Sequence, residues 1–334
     1  MNHTKPIGSI LITPEEVALA YQLLLGRDPE SADIVNNLCQ TVHSVPALRE
    51  SFMRSSEFRS RMGEILDKHQ DVQLRHPFHL PHIPVEAEIS DELLRKMFDR
   101  IKHEWTYLGE TEPYWSTITQ PQYHLDQFEG SRQQFYDSGK YVLDIFMATM
   151  RRNNINPNLI QSVLEVGCAV GRVTQFLASS FPKVIAADIS APHIAIAKAQ
   201  MAAQHISNVE FIQWDDPRAL YQLPSVDAIL SVITLQHNPP PVMAWILKNL
   251  LACLNPGGVA YIQIPTYRNG YLFETERYLQ TAQPNTLEMH FLPQHAVFRI
   301  VADADCTCLE IREDGMVGDE SQMLSNTFLI QRNP

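Results

Sequence analysis

Five apolar runs, at residues 162–167, 183–188, 208–213, 226–232 and 258–264, recur with helical patterns between them. No other feature of the 334 residues constrains the fold as strongly. Strand-length runs separated by helix-length segments imply a parallel sheet with crossover helices. Two further runs, 305–312 and 326–331, have no convincing helix between them and are expected as a terminal antiparallel pair.

The first run ends in a loop, "SVLEVGCAVGRV" (162–173), which has the look of a nucleotide-binding turn. A P-loop needs Lys-Ser or Lys-Thr after its last glycine. Here Gly171 is followed by Arg172 and Val173, which excludes it. A dinucleotide site needs a second glycine where the backbone approaches pyrophosphate. That position holds Ala169, within Gly167-x-x-x-Gly171. S-adenosylmethionine carries no phosphate and tolerates a short side chain there.

Later markers separate the candidates. Asp188 ends the second run, about twenty residues past the loop, where a carboxylate can take both ribose hydroxyls. The third run ends in "WDDPRAL" and the fourth in polar residues and His237, with Pro-Gly-Gly just before the fifth.

In that order on those runs, the motifs of residues 160–265 resemble the class I S-adenosylmethionine-dependent methyltransferase family. The resemblance implies an α/β fold: a doubly wound, Rossmann-like seven-stranded sheet with its last strand antiparallel. It implies S-adenosylmethionine as cofactor, with Glu165 and Gly167 at its methionine end, Asp188 at the ribose, and Cys168, Gly171 and Ile189 among the residues that bind it. Trp214, Asp215 and Asp216 would serve the adenine, and Ser231 and Val232 the methionine amino group. Ala169 stands where the family usually has glycine, so its methyl is expected to narrow the approach. Arg172 opens the next helix and reads as a solvated capping residue.

Methyl transfer from a sulfonium needs alignment above all, and an alcohol nucleophile also needs a base. His237 is the first candidate: it lies beyond the fourth strand, and its ordinary pKa suits base work near neutrality. His290 is the second, since methyltransferases often insert substrate-binding segments after the fifth strand, and His124 is a weaker one. His295 joins Tyr114, Trp115 and Tyr136 as substrate-binding candidates. The aromatic stretch 106–128, with Tyr123, precedes the sheet, where this family often places a lid.

The N-terminal residues differ in texture. Thr13, Pro14 and Glu16 predict a capping box, Gly26 a helix stop, and Ser31 a second helix start. Residues 1–70 are expected to form an all-helical domain. On "YQLLLGRDPE" (21–30) and "SFMRSSEF" (51–58) it resembles a small domain of unknown function found beside bacterial glycan-modifying enzymes. A proline-containing linker follows (71–89), then a helical and aromatic lid and substrate segment (90–158). The methyltransferase domain is expected over 159–334. His76, His79 and His82 recur every third residue, but proline-rich chain does not put them on one face, and no metal is expected.

The net charge of −12, with no basic patch, argues against nucleic acid. Five cysteines, mostly in apolar runs, fit reduced thiols in a cytoplasmic protein. No run is long enough to cross a membrane. The expected acceptor is a sugar or glycan-precursor hydroxyl, with a specialised small molecule or peptide, methylated on O or N, as the alternative. An inactive cofactor-binding scaffold, with the helical domain docking a protein partner, is a third reading. A nicotinamide oxidoreductase is disfavoured by the loop.

Overall fold

The computed structural model describes residues 12–58, 60–61, 81–281, 287–317 and 323–334. The chain divides into two compact units, Met1–Leu74 and Arg75–Pro334.

The described residues of the first unit are helical. α1 (Pro14–Ala20) starts on the expected capping box: Thr13 Oγ1 accepts from Glu16 N, and Glu16 Oε2 accepts from Thr13 N. A π-helical turn (Tyr21–Leu25) ends at Gly26, whose φ of 63° only glycine adopts without strain. Ser31 caps α2 (Ala32–Thr41) and Ser44 caps α3 (Val45–Arg54). Val17, Tyr21, Leu25, Leu48 and Phe52 form the core. The two stretches that carry the N-terminal resemblance meet here. Tyr21 packs edge-on to Phe52 at 4.9 Å, and Arg27 makes a two-pronged pair with Glu57 at 2.6 and 2.7 Å.

The second unit opens with α4 (Asp91–Thr111), capped by Ser90, whose side chain accepts from Leu93 N. Two short helices follow, α5 (Arg132–Asp137) and α6 (Gly139–Arg152), separated at Ser138. Gly139 explains the residue choice at the junction: a Cβ there would lie 2.1 Å from the Arg172 carbonyl.

The sheet follows: β1 (Ser162–Val166), α7 (Thr174–Ser180), β2 (Lys183–Asp188), α8 (Ala191–Ala203), β3 (Val209–Gln213), β4 (Val226–Ser231), α9 (Pro240–Ala252) and β5 (Leu254–Arg268). After α10 (Thr275–Gln280) and α11 (Gln294–Asp303) come β6 (Cys306–Asp314) and β7 (Met323–Arg332). The order is β3-β2-β1-β4-β5-β7-β6. The first five strands are mutually parallel, and β7 runs antiparallel to both β5 and β6. This is the seven-stranded doubly wound sheet the sequence predicts.

β5 starts four residues before the predicted 258, because the Pro-Gly-Gly segment is taken into the strand as a bulge. Pairing jumps from Val226↔Leu254 to Ala228↔Val259. Both sheet faces are covered. One core joins α4, α9 and α11 to the sheet, and the other joins α6 and α7. Parallel strands buried on both faces explain the near-continuous apolar runs. The order reverses at β1, between β2 and β4, which leaves a crevice beyond their carboxyl ends.

Candidate active site

That crevice is a cleft enclosing about 850 Å³, part of it open to solvent. Its floor is the loop after β1, from Glu165 to Ala169, with Arg172 and Val173. Asp188 and Ile189 of β2 and Val232, Ile233 and Thr234 after β4 close its ends. Ile101 and Trp105 of α4, with Ser116 and Thr117, form the roof.

The loop is held by its backbone. Gly167 has φ 80°, and a Cβ there would lie 2.1 Å from Thr234 Oγ1. Ala169 has φ 44°, a left-handed conformation unusual for alanine. Its N–H donates to Asp188 Oδ2 at 2.9 Å, and Ser190 N donates to Oδ1 of the same carboxylate at 2.9 Å. Ile233 also has positive φ, 58°, although it is β-branched. Its N–H is held by Gln263 Oε1 at 2.9 Å, and Gln263 is itself fixed by Gln236 and Ser325. Two strained residues thus face one cleft, each locked by a buried side chain.

Glu165 is buried and accepts from Thr174 Oγ1 at 2.6 Å. Burial pushes its pKa up to about 7, against the pull of Thr174 and the positive charge of Arg172. Arg172 is not the solvated capping residue the sequence suggests. Burial lowers its pKa, one nitrogen reaches Ser138 Oγ at 3.2 Å, and its Nε has no hydrogen-bond partner. Trp214 also lines the cleft with its Nε1 unpartnered. Two orphaned buried donors in one cleft await acceptors from a ligand.

S-adenosylmethionine suits this donor set. Arg172 can meet a carboxylate, Glu165 an ammonium, Asp188 a ribose hydroxyl and Trp214 a base nitrogen.

A second polar cluster lies behind α4. Glu288 accepts from Arg100 at 2.7 Å and from Tyr278 Oη at 2.8 Å, and lies 3.2 Å from His290 Nε2. Its pKa is held at about 2: burial, which would raise it, is outweighed by His290, Tyr278 and Arg100. His290 Nδ1 lies 2.8 Å from Tyr271 Oη. A pocket lined by Tyr271, Phe273, Tyr278 and His290 adjoins this cluster.

Residues 163–258 match the family described as "Methyltransferase domain". The chain carries a methyltransferase domain. Among solved structures, it is similar to magnesium protoporphyrin IX methyltransferase from Synechocystis PCC 6803 with bound SAH. Identity is 16% over 70% of this chain and 100% of that one, with a TM-score of 0.48. It is similar to the N-methyltransferase NodS from Bradyrhizobium japonicum WM9 at 18% identity, over 70% and 99%, with a TM-score of 0.45. It is also similar to the [4+2]-cyclase SpnF at 13% identity, over 76% and 98%, with a TM-score of 0.43. No curated protein sequence matches the chain.

Of the residues expected at the cofactor, Glu165, Gly167, Cys168, Asp188, Ile189, Trp214 and Val232 line the cleft of the methyltransferase domain. Gly171 lies at the loop's end with φ 84°, packed on Ala197 and Met201. Ser231 is buried and donates to the Val166 carbonyl. Asp215 and Asp216 are elsewhere: Asp215 pairs with Lys102 at 2.7 Å and Asp216 with Arg218 at 2.6 Å, and neither lines the cleft.

From the segment between α4 and β1, Ser116 and Thr117 line the cleft, while the aromatic side chains pack elsewhere. Tyr114 stacks on Phe128 at 3.4 Å, and Tyr114, Tyr123, Phe135 and Tyr136 form an aromatic core against Val170. Trp115 stacks on His124, which pairs with Glu112. His295 is exposed on α11 beside His82, at 4.9 Å between rings. His76 and His79 lie outside the described residues.

His237 is corrected most. Its Nδ1 lies 2.9 Å from the Glu288 carbonyl, its Nε2 3.3 Å from Gln236 Nε2, and its ring packs against Trp105. Burial drives its pKa down to about 4, so it is not the near-neutral base the sequence suggests. It does not line the cleft. Sequence reasoning missed Arg172 as a cleft residue and His193, which no motif marks.

Proposed function

We propose that the protein is an S-adenosylmethionine-dependent O-methyltransferase acting on a hydroxyl of a sugar or glycan precursor. The observation that carries the cofactor half is the cleft at the β1–β2–β4 crevice, with Glu165 and Asp188 on its floor and orphaned Arg172 and Trp214 donors. Bound there, the cofactor supplies a methyl group on a sulfonium that an acceptor oxygen takes by in-line displacement. Glu165 receives the amino group of the amino-acid end and Arg172 its carboxylate. Asp188 holds the ribose, and Trp214 lies on the adenine side. Ile101 and Trp105 exclude water from above.

On the acceptor side, His290 is the candidate base. Tyr271 donates to Nδ1, and Nε2–H donates to the Glu288 carboxylate. An acceptor proton passes to the Tyr271 oxygen as the Tyr271 proton moves to His290. The resulting imidazolium is held by Glu288. This relay lies in a pocket that shares no lining residue with the cofactor cleft, so it takes the proton only of an acceptor that bridges the two. A base so oriented contributes on the order of 10²–10⁴-fold.

The glycan half rests on the N-terminal unit's resemblance. A second reading, a ring-bearing small-molecule acceptor methylated on O or N, is favoured by the aromatic walls of the pocket beside His290. Calorimetry with S-adenosylmethionine tests the cofactor half, and absence of binding would end it. Methyl transfer from labelled cofactor to a panel of nucleotide sugars, glycans and aromatic amines separates the acceptors. Transfer to amines alone removes the glycan reading. His290→Gln is expected to lower turnover about 100-fold with little change in cofactor affinity.

A further inference from the structure

His193 stands in the first turn of α8 and is 0% exposed. Its two ring nitrogens reach different segments: Nδ1 lies 2.7 Å from Ser190 Oγ, and Nε2 lies 3.0 Å from Ser116 Oγ. Ser190 Oγ donates its one proton to the Trp105 carbonyl at 2.9 Å. It must therefore accept from His193 Nδ1–H. Nε2 is left with the lone pair, and Ser116 Oγ–H donates to it. The alternative acceptor for Ser116, the Pro113 carbonyl, is farther away at 3.3 Å.

The arrangement joins floor to roof. Ser190 N donates to Asp188 on the floor, while Ser116 and Trp105 belong to the roof. A continuous hydrogen-bonded path thus runs Asp188–Ser190–His193–Ser116. α4 is shaped for it. At Gly109 a Cβ would lie 2.6 Å from Ser190 Oγ and 2.7 Å from His193 Nδ1. Glycine inside a 21-residue helix costs about 1 kcal/mol relative to alanine. Here it lets the helix close onto the pair.

We infer that His193 is the positioning residue that holds the roof turn 113–117 down over the cofactor cleft. It touches no cofactor atom and acts through Ser116 and Ser190. The inference rests on the reading of the cleft as the cofactor site. Without the Nε2 acceptor the roof turn is freed, and a bound cofactor leaves sooner.

The test compares the full-length protein with His193→Ala and His193→Gln. The Gln side chain carries an acceptor near the place of Nε2. In the cofactor-free protein, hydrogen exchange is read at the amides of Ser116, Thr117 and Ile118, which are bonded to Glu112 and Tyr114 carbonyls. His193→Ala is expected to speed their exchange about tenfold relative to the β1 and β4 amides, and His193→Gln to restore most of the protection. With S-adenosylmethionine, the Ala variant should bind about tenfold more weakly, through faster release, the loss expected for one buried hydrogen bond. The loss should fall on KM for the cofactor rather than on kcat. Unchanged roof exchange in His193→Ala would overturn the inference, as would a Gln variant no better than Ala. If the Ala variant fails to fold, Ser116→Ala is read by the same exchange measurement. Wild-type protein that does not bind the cofactor, with roof exchange still dependent on His193, would remove the cofactor reading and leave the latch standing.

Discussion

The backbone N–H of Ala169 donates to the carboxylate of Asp188 across 2.9 Å, tying the loop after β1 to the end of β2. The acid expected to hold a ribose therefore also holds a strained loop in place. Asp188→Ala should weaken cofactor binding by roughly 100-fold, as for losing hydrogen bonds to a charged group, and should also lower stability because Ala169 and Ser190 lose their acceptor. Asp188→Asn should retain part of both. Calorimetry and urea unfolding check this, and wild-type affinity in Asp188→Ala would contradict the role.

Ala169 itself is open to improvement. A left-handed alanine costs about 1 kcal/mol that glycine avoids, offset by the greater freedom of glycine in the unfolded chain. Ala169→Gly is expected to change stability by less than about 1 kcal/mol and to tighten cofactor binding by removing the methyl from the approach. Weaker binding, measured calorimetrically, would show that the methyl contributes a contact.

Glu165 couples binding to pH. Its pKa in the fold, about 7, exceeds the ordinary 4.5, so its contribution to stability is present below pH 4.5 and lost as pH rises through 7. Glu165→Gln should stabilise the cofactor-free protein at pH 8 by up to about 3 kcal/mol relative to wild type, with little difference at pH 4.5. The same change should weaken cofactor binding, since a neutral amide cannot balance an ammonium. Thermal unfolding at the two pH values decides the first part.

His237 gives the opposite slope. Its folded pKa, about 4, lies below the ordinary 6.5, so its contribution is present above pH 6.5 and lost as pH falls toward 4. Over that window the loss is about 3 kcal/mol, and His237→Gln should flatten it. The variant should also keep most of the wild-type turnover, and a fall of about 100-fold or more would contradict the reading of His237 as a packing residue.

Arg100 and Glu288 form a mostly buried pair, with side chains 10% and 16% exposed. Arg100→Met should destabilise the protein by about 3–5 kcal/mol by leaving Glu288 short of a countercharge, and should raise the Glu288 pKa from about 2. Adding Glu288→Gln should recover part of the loss in chemical denaturation. No recovery would mean that the cation–aromatic contact of Arg100 with Tyr278, at 4.2 Å, dominates.

What was legible in the sequence followed from local pattern. The strand runs, the capping box at Thr13, the stop at Gly26 and the acid at Asp188 are written in neighbouring residues. What escaped depends on distant partners. Asp215 pairs with Lys102, 113 positions away, which no local motif encodes. Arg172 reads as an ordinary helix opener until the fold turns it into the cleft. The shift in the His237 pKa comes chiefly from burial by packing, which a sequence window does not contain. The tyrosines of the segment before β1 pack into a core of their own, which no local pattern distinguishes from a site because aromatic rings serve either.

The roof of the cleft precedes its floor in the chain, and this bears on synthesis. α4 is anchored by Asp215 and by Glu288, the latter 188 positions downstream of Arg100. A ribosome-bound chain that has just released β5 therefore holds every strand of the cofactor motif, yet lacks the Glu288 anchor of the helix above it. Until that anchor arrives, the apolar flank of α4 is one segment for which a chaperone could compete.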